Sequence, residues 1–224
     1  MRLVAFGCSH TFGQALPDVW GGYDEDSKFE FEHGPSKYAW PQILANKLDI
    51  ECINNGILGA SNKEIWYRIL DFKVHKDDII VILWSFFDRG CIIKGKHIIT
   101  QFGSWNIVTR KNSTNVVDKA FFKYIHNHYD MILDFYLRAN HVQNVLQDKV
   151  KLIKHCSSIK LYANISDHIN WNKIKFSNMH MKDITELDKH PRALDNSHPG
   201  LETHKEFATA IYNEIKDENP EKFN

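Results

Sequence analysis

A three-layer α/β domain on a mainly parallel sheet is the fold this sequence predicts, and three observations lead there. Apolar segments alternate along the chain between a strand-like period of two and a helix-like period near four. One run, Asp78 to Trp84 (DIIVILW), is almost unbroken Ile, Val and Leu, as in a strand buried on both faces of a parallel sheet. The first three strand-like runs each end in a polar or glycine-containing turn, the edge at which an open parallel sheet binds its ligands.

The elements follow in order. Arg2 to Gly7 is the first strand, Ile50 to Asn54 the second, Asp78 to Trp84 the third and Ile159 to Ile165 (IKLYANI) the fourth. Tyr38 to Leu48 predicts a helix with Ile43, Leu44 and Leu48 on one face and Pro41 in its first turn, where the missing N–H is harmless. Ser61 to Val74 opens with a capping box, Ser61 and Glu64, and repeats Ile65, Ile69 and Phe72. Val117 to Lys154 is helical in period with a break near Asn140, and Leu201 to Lys216 places Phe207, Ile211 and Ile215 at fourfold spacing. Such alternation argues for helices on both sides of the sheet. Gln14 to Lys37 and Phe176 to Asp195 fit neither period and read as site-forming loops. Gly90 to Arg110 reads as a β-hairpin turning near Lys94 to Lys96. With 224 residues, a single domain over 1–224 is expected, with insertions near 14–37, 90–115 and 176–195.

Composition narrows the function. The 28 basic and 28 acidic residues cancel and the lysines are scattered, so no cationic surface for nucleic acid is expected. No stretch approaches the roughly 18 to 20 apolar residues of a membrane span, and the N-terminus lacks a basic segment leading into a long apolar core. Cys8, Cys52, Cys91 and Cys156 form no CxxC pair, which excludes a zinc ribbon or thioredoxin motif and fits a reduced, cytoplasmic setting. No GxGxxG or GxxxxGK[ST] loop is present. His126 and His128, two apart in a helical stretch, diverge rather than meet at a metal. The expectation is therefore no cofactor and no metal, no nucleic-acid or membrane partner, and an oligomeric state the chain does not fix.

Chemistry concentrates at four places. The first strand runs into GCSHTFG, the second into NNGILGASN, the third into WSFFDR, and LDNSHPG precedes the last helix. In LDNSHPG, Asp195 and His198 are three apart, so one turn lets both side chains point the same way. A histidine held by a carboxylate can take the proton of a serine hydroxyl. Ser9, in the turn after the first strand, is a candidate for that serine. Taken alone it would more often cap a helix. Cys8 reads as a core residue, with a thiol nucleophile the lesser alternative. His10 contacts substrate or bonds within the turn.

A G-x-S-x-T-x-G turn after the first strand, N-x-G-x-x-G after the second and D-x-x-H near the C-terminus together resemble the SGNH (GDSL-like) hydrolase superfamily. The resemblance implies a flavodoxin-like α/β/α sandwich and an esterase acting through an acyl-enzyme. By this resemblance Ser9 is the nucleophile, Asp195 the acid and His198 the base, with Ser9 and Gly59 donating backbone N–H groups to the oxyanion. The third block departs: where the family has G-x-N-D, this chain reads Trp84, Ser85, Phe86, Phe87, Asp88, Arg89. Ser85, Arg89, Asn55 and Asn62 are the residues that could replace the missing asparagine. Arg89 is also a candidate for binding a substrate carboxylate. The expected substrate is a small-molecule or glycan ester, with O-acyl groups on carbohydrate favoured. The alternative is a catalytically silent domain that binds a glycan or a protein through the same pocket.

Overall fold

The computed structural model describes residues 1–20, 34–95, 97–103, 116–160, 174–181 and 190–219. At its centre β1 (Arg2–Gly7), β2 (Glu51–Gly56), β3 (Asp78–Trp84), β6 (Leu152–Ser157) and β7 (Phe176–His180) form a parallel sheet in the order β2-β1-β3-β6-β7. The β4 (Gly90–Lys94) and β5 (His97–Phe102) strands make a separate antiparallel hairpin.

Side chains alternate across a strand, so each central strand feeds two cores. Val4, Phe6, Ile80, Ile82 and Trp84 pack on one face against Ile65, Ile69, Ile132, Phe135 and Val142. Those partners belong to α3 (Asn62–Asp71) and α5 (His128–Leu146). Leu3, Ala5, Ile79, Val81 and Leu83 pack on the other face against Trp40, Leu44, Phe207, Ile211 and Ile215. These belong to α2 (Trp40–Leu48) and α6 (Leu201–Glu218). The result is a three-layer α/β/α sandwich of flavodoxin-like kind. All seven residues of β3 are buried, and each large apolar one contributes about 1.5–3 kcal/mol.

The boundaries of β1 and β3 are those the sequence predicts, and Ser61 caps α3 by accepting the Glu64 N–H at 3.2 Å. Of the expected Gly90 to Arg110 hairpin, Gly90–Lys94 and His97–Phe102 pair across a turn at Gly95, and 104–110 lie outside the described residues. Three expectations need correction. The fourth strand of the sheet is Leu152–Ser157, which begins inside the stretch ending at Lys154 that reads as helix, and β7 lies in a stretch that reads as loop. Polar residues disguise β6: the buried Lys154 ammonium reaches Glu214 at 2.8 Å and Glu218 at 3.1 Å on α6. Buried His155 accepts the Trp84 indole N–H at 3.0 Å. Of the expected Ile159 to Ile165 strand, 159 and 160 follow β6 outside any strand, and 161–165 lie outside the described residues. The helix break falls at Asn127, not Asn140. Asn127 Oδ1 accepts the N–H groups of Tyr129 and Asp130 and so caps α5, which runs unbroken through Asn140. Before it come α4 (Val116–Ala120) and a π-helical turn, Phe121–Ile125.

Candidate active site

At the carboxyl end of β1 the chain folds into one helical turn, α1 (Ser9–Phe12), with the Cys8 carbonyl accepting the N–H groups of Thr11 and Phe12 at 2.9 and 3.0 Å. This turn lies so close to β2 that a Cβ on Gly56 would sit 2.3 Å from the Phe12 nitrogen, which is why glycine stands there. Ser9 is 3% exposed. Cys8 is wholly buried in the α3/α5 core.

The second turn is stitched to the first, because the Ile57 N–H donates to the Gly7 carbonyl at 3.0 Å. It closes with Ala60 N–H on the Ile57 carbonyl, and Gly59 takes the left-handed φ of 70° that such a turn needs at its third position. Asn62 then joins this turn to the third. Its Oδ1 accepts the Ser85 N–H at 2.7 Å and its Nδ2 donates to the Ser85 carbonyl at 3.2 Å. The Ser85 N–H is thereby committed to Asn62. Arg89 donates to Ser85 Oγ at 3.1 Å and stacks its guanidinium 4.5 Å over the Phe86 ring.

The fourth segment organises itself. Asp195 Oδ1 accepts the N–H groups of Ser197 and His198 at 2.9 and 3.0 Å, with Asn196 between them in the left-handed region at φ 56°. Asp195 Oδ2 meets His198 Nδ1 at 2.5 Å and accepts the Ser197 hydroxyl at 2.8 Å. Burial pushes the Asp195 carboxyl up. The hydrogen bonds from the His198 ring, the His198 N–H and the Ser197 N–H outweigh it and hold the group well below the usual carboxylate range. A carboxylate only accepts, so Nδ1 of His198 carries the proton and Nε2 is left as an acceptor. That Nε2 lies 3.2 Å from Ser9 Oγ, so the Ser9 hydroxyl donates to it. The structure thus brings together Ser9, His198 and Asp195, from opposite ends of the chain.

His10 is buried beside this trio, edge-on to the His198 ring at 5.9 Å and to Phe86 at 5.8 Å. Burial first, then the charges of His198 and Arg89, push its pKa well below the usual value, so the ring stays neutral. Its Nδ1 has no hydrogen-bond partner among the described residues. Asn55 is placed elsewhere: it lines a cleft with Phe6, Ile57, Arg68, Asp71 and Phe72.

Sequence reasoning missed His204, which is wholly buried and accepts the Trp40 N–H on Nδ1 at 3.0 Å. Burial lowers its pKa to about 3. It ties the first turn of α6, immediately after His198, to the start of α2. The signal was available, since position 204 extends the stripe of Phe207, Ala208, Ile211 and Ile215 by one turn.

No protein family model matches the sequence, and no curated protein matches it. Solved structures do. A family two carbohydrate esterase from Clostridium thermocellum, in complex with cellohexaose, is similar over 97% of this chain and 64% of its own, at a TM-score of 0.53 and 13% identity. A family 2 carbohydrate esterase with a carbohydrate-binding domain, from Corynascus thermopiles (Myceliophthora fergusii), gives a TM-score of 0.53 and 12% identity over 97% of this chain and 66% of its own. LAE5, an alpha/beta hydrolase enzyme from the metagenome of Lake Arreo, Spain, aligns over 94% of this chain and 92% of its own at 0.50 and 13%. The chain therefore spans about two thirds of the carbohydrate esterases it matches. At these identities the likeness is one of architecture: the chain shares the fold of these three proteins, and its α/β/α sandwich is the fold that its resemblance to the SGNH (GDSL-like) hydrolases implies.

Proposed function

We propose that this protein is a serine hydrolase that cleaves carboxylic esters through an acyl-enzyme, with O-acyl groups on carbohydrate as the favoured substrates. The observation that carries the reading is the unbroken path from Ser9 Oγ to His198 Nε2 at 3.2 Å and from His198 Nδ1 to Asp195. In the proposed reaction His198 takes the Ser9 proton as the serine oxygen attacks the acyl carbonyl. The imidazolium, held by the Asp195 carboxylate, then protonates the departing alcohol. Water, deprotonated by His198, attacks the acyl-serine and releases the carboxylic acid. The Ser9 and Gly59 N–H groups are the proposed oxyanion donors. The fold shared with carbohydrate esterases supports the ester reading and the carbohydrate preference.

The missing third-block asparagine favours a second reading, a silent domain that binds a glycan or protein. No asparagine stands in the Trp84–Arg89 segment, and loss of one such donor typically costs about 10²- to 10³-fold in kcat. A fluorophosphonate probe separates the two. Stoichiometric labelling that disappears in Ser9→Ala is the expected result, and absence of labelling in folded protein would overturn the hydrolase reading.

A further inference from the structure

The four residues that could stand in for the third-block asparagine are engaged elsewhere. Asn62 gives its amide to the Ser85 carbonyl at 3.2 Å and takes the Ser85 N–H at 2.7 Å. Arg89 donates to Ser85 Oγ at 3.1 Å and stacks on Phe86. Asn55 lines a separate cleft. Beside the nucleophile stands a polar side chain to which the mechanism above gives no part: His10, which follows Ser9 in α1.

His10 is 9% exposed, and its Nδ1 is sealed from solvent with no partner among the described residues. Most buried polar atoms find one. Burial, with the neighbouring charges of His198 and Arg89, keeps the ring neutral, so one nitrogen carries a proton and the other a lone pair. A sealed lone pair is tolerated more readily than an orphaned N–H, which puts the proton on Nε2. Two neighbours hold the ring in place. Phe86 lies edge-on at 5.8 Å with 79° between the planes, and His198 at 5.9 Å with 87°. Since His198 Nε2 is 3.2 Å from Ser9 Oγ, the His10 ring flanks the reacting pair, and it does so against the turn after β3, the segment that lacks the asparagine.

Resting on the hydrolase reading, we infer that His10 is a catalytic residue whose Nε2–H donates to the acyl carbonyl oxygen of the ester, beside the N–H groups of Ser9 and Gly59. The bond tightens as that oxygen becomes an oxyanion. The Ser9 oxygen bonds to the acyl carbon, the carbonyl π pair moves onto its oxygen, and the proton of Ser9 goes to His198. No proton leaves or joins His10. A neutral ring suits this place because it donates without competing for the proton that His198 takes, and a donor fixed beforehand needs no reorganisation as charge develops.

Steady-state hydrolysis of 4-nitrophenyl acetate tests the assignment in three variants. His10→Phe and His10→Leu fill the space without an N–H, and His10→Gln keeps a donor. In the first two, kcat should fall about 10²-fold with KM close to the parent's, because a contact made only in the transition state lowers kcat and kcat/KM alike. His10→Gln should recover part of the loss, and the acid-side midpoint of kcat, which reports the general base, should not move. Melting temperatures show that the variants are folded, and either Phe or Leu serves if the other is not. A kcat within about threefold of the parent in a folded Phe or Leu variant overturns the inference. So does a loss carried by KM alone, a Gln variant no better than the other two, or a shifted midpoint, which would mean that the ring acts through His198. A parent that labels with fluorophosphonate but does not turn over is compared with the variants by its rate of labelling, with the same fall and the same partial recovery expected. If the parent neither hydrolyses the ester nor takes the label, the hydrolase reading fails and the inference falls with it, whereas an active parent with equally active variants sinks the inference alone.

Discussion

The two halves of the candidate site are built by opposite means. Ser9 is nearly inaccessible, and its turn is fixed by distant parts of the chain: Gly56 admits it to the face of β2, and Ile57 bonds back to Gly7. The segment holding Asp195 and His198 lies at the surface, with Asn196 and Ser197 exposed; the bonds that fix the Asp195 carboxylate span no more than three residues, while Ala193 N–H on the His198 carbonyl at 2.9 Å and Leu194 N–H on the Ala15 carbonyl at 3.1 Å anchor the loop. Chemistry therefore meets at a seam between a turn held by long-range packing and a loop whose acid–base pair is held by local bonds. A core defect should move the nucleophile, whereas a loop defect should spoil the base and leave the fold alone.

The largest expected effect breaks the loop half. His198→Ala should lower kcat/KM about 10⁴-fold or more, with a melting temperature close to that of the parent, because the ring's long-range hydrogen bond is the one to Ser9. A large fall in melting temperature would show that the loop is less self-contained than its bonds suggest.

Next comes Gly56→Ala, which attacks the packed half. The new Cβ meets the Phe12 nitrogen at 2.3 Å and the Thr11 carbonyl carbon at 2.7 Å, both backbone atoms that no rotamer change can move away. Stability should fall by about 3 kcal/mol, as in overpacked cores, and activity should fall with it. Chemical denaturation and ester hydrolysis measured on one preparation check that coupling.

The smallest effect sharpens the comparison through pH. Asp195 is held below its ordinary carboxylate pKa mainly by hydrogen bonds from His198, against the opposing pull of burial. Its ionised form therefore adds stability above the unfolded value of about 3.9, and that contribution is lost as the pH falls below it towards the lowered folded value. The melting-temperature gap between the parent and Asp195→Asn should be open near pH 6 and close below about pH 4. A gap that stays constant would assign the difference to packing instead.

How much of this was legible follows from the same contrast. The apolar runs of β1 and β3, the Ser61 cap and the Asp195–His198 spacing are local patterns, and local patterns survive in a sequence. β6 did not read as a strand because Lys154 and His155 are polar residues that become tolerable in the interior only once Glu214, Glu218 and Trp84 have arrived from elsewhere. The break at Asn127 competed with an equally plausible Asn140, and capping geometry decided between them.

The sequence by itself determined the class of fold, the turn that carries Ser9 and the local geometry of its Asp195–His198 partner, since each depends on periodicity or on contacts within a few residues. Only the tertiary structure decided that Ser9 Oγ lies 3.2 Å from His198 Nε2 across 189 positions. It also decided that Asn62 holds Ser85, that Asn55 lines a different cleft and that Arg89 bonds to Ser85 and stacks on Phe86. These relations depend on the order in which the strands of the sheet lie side by side, which is set by how the helices bury both faces at once and by no stretch of sequence alone.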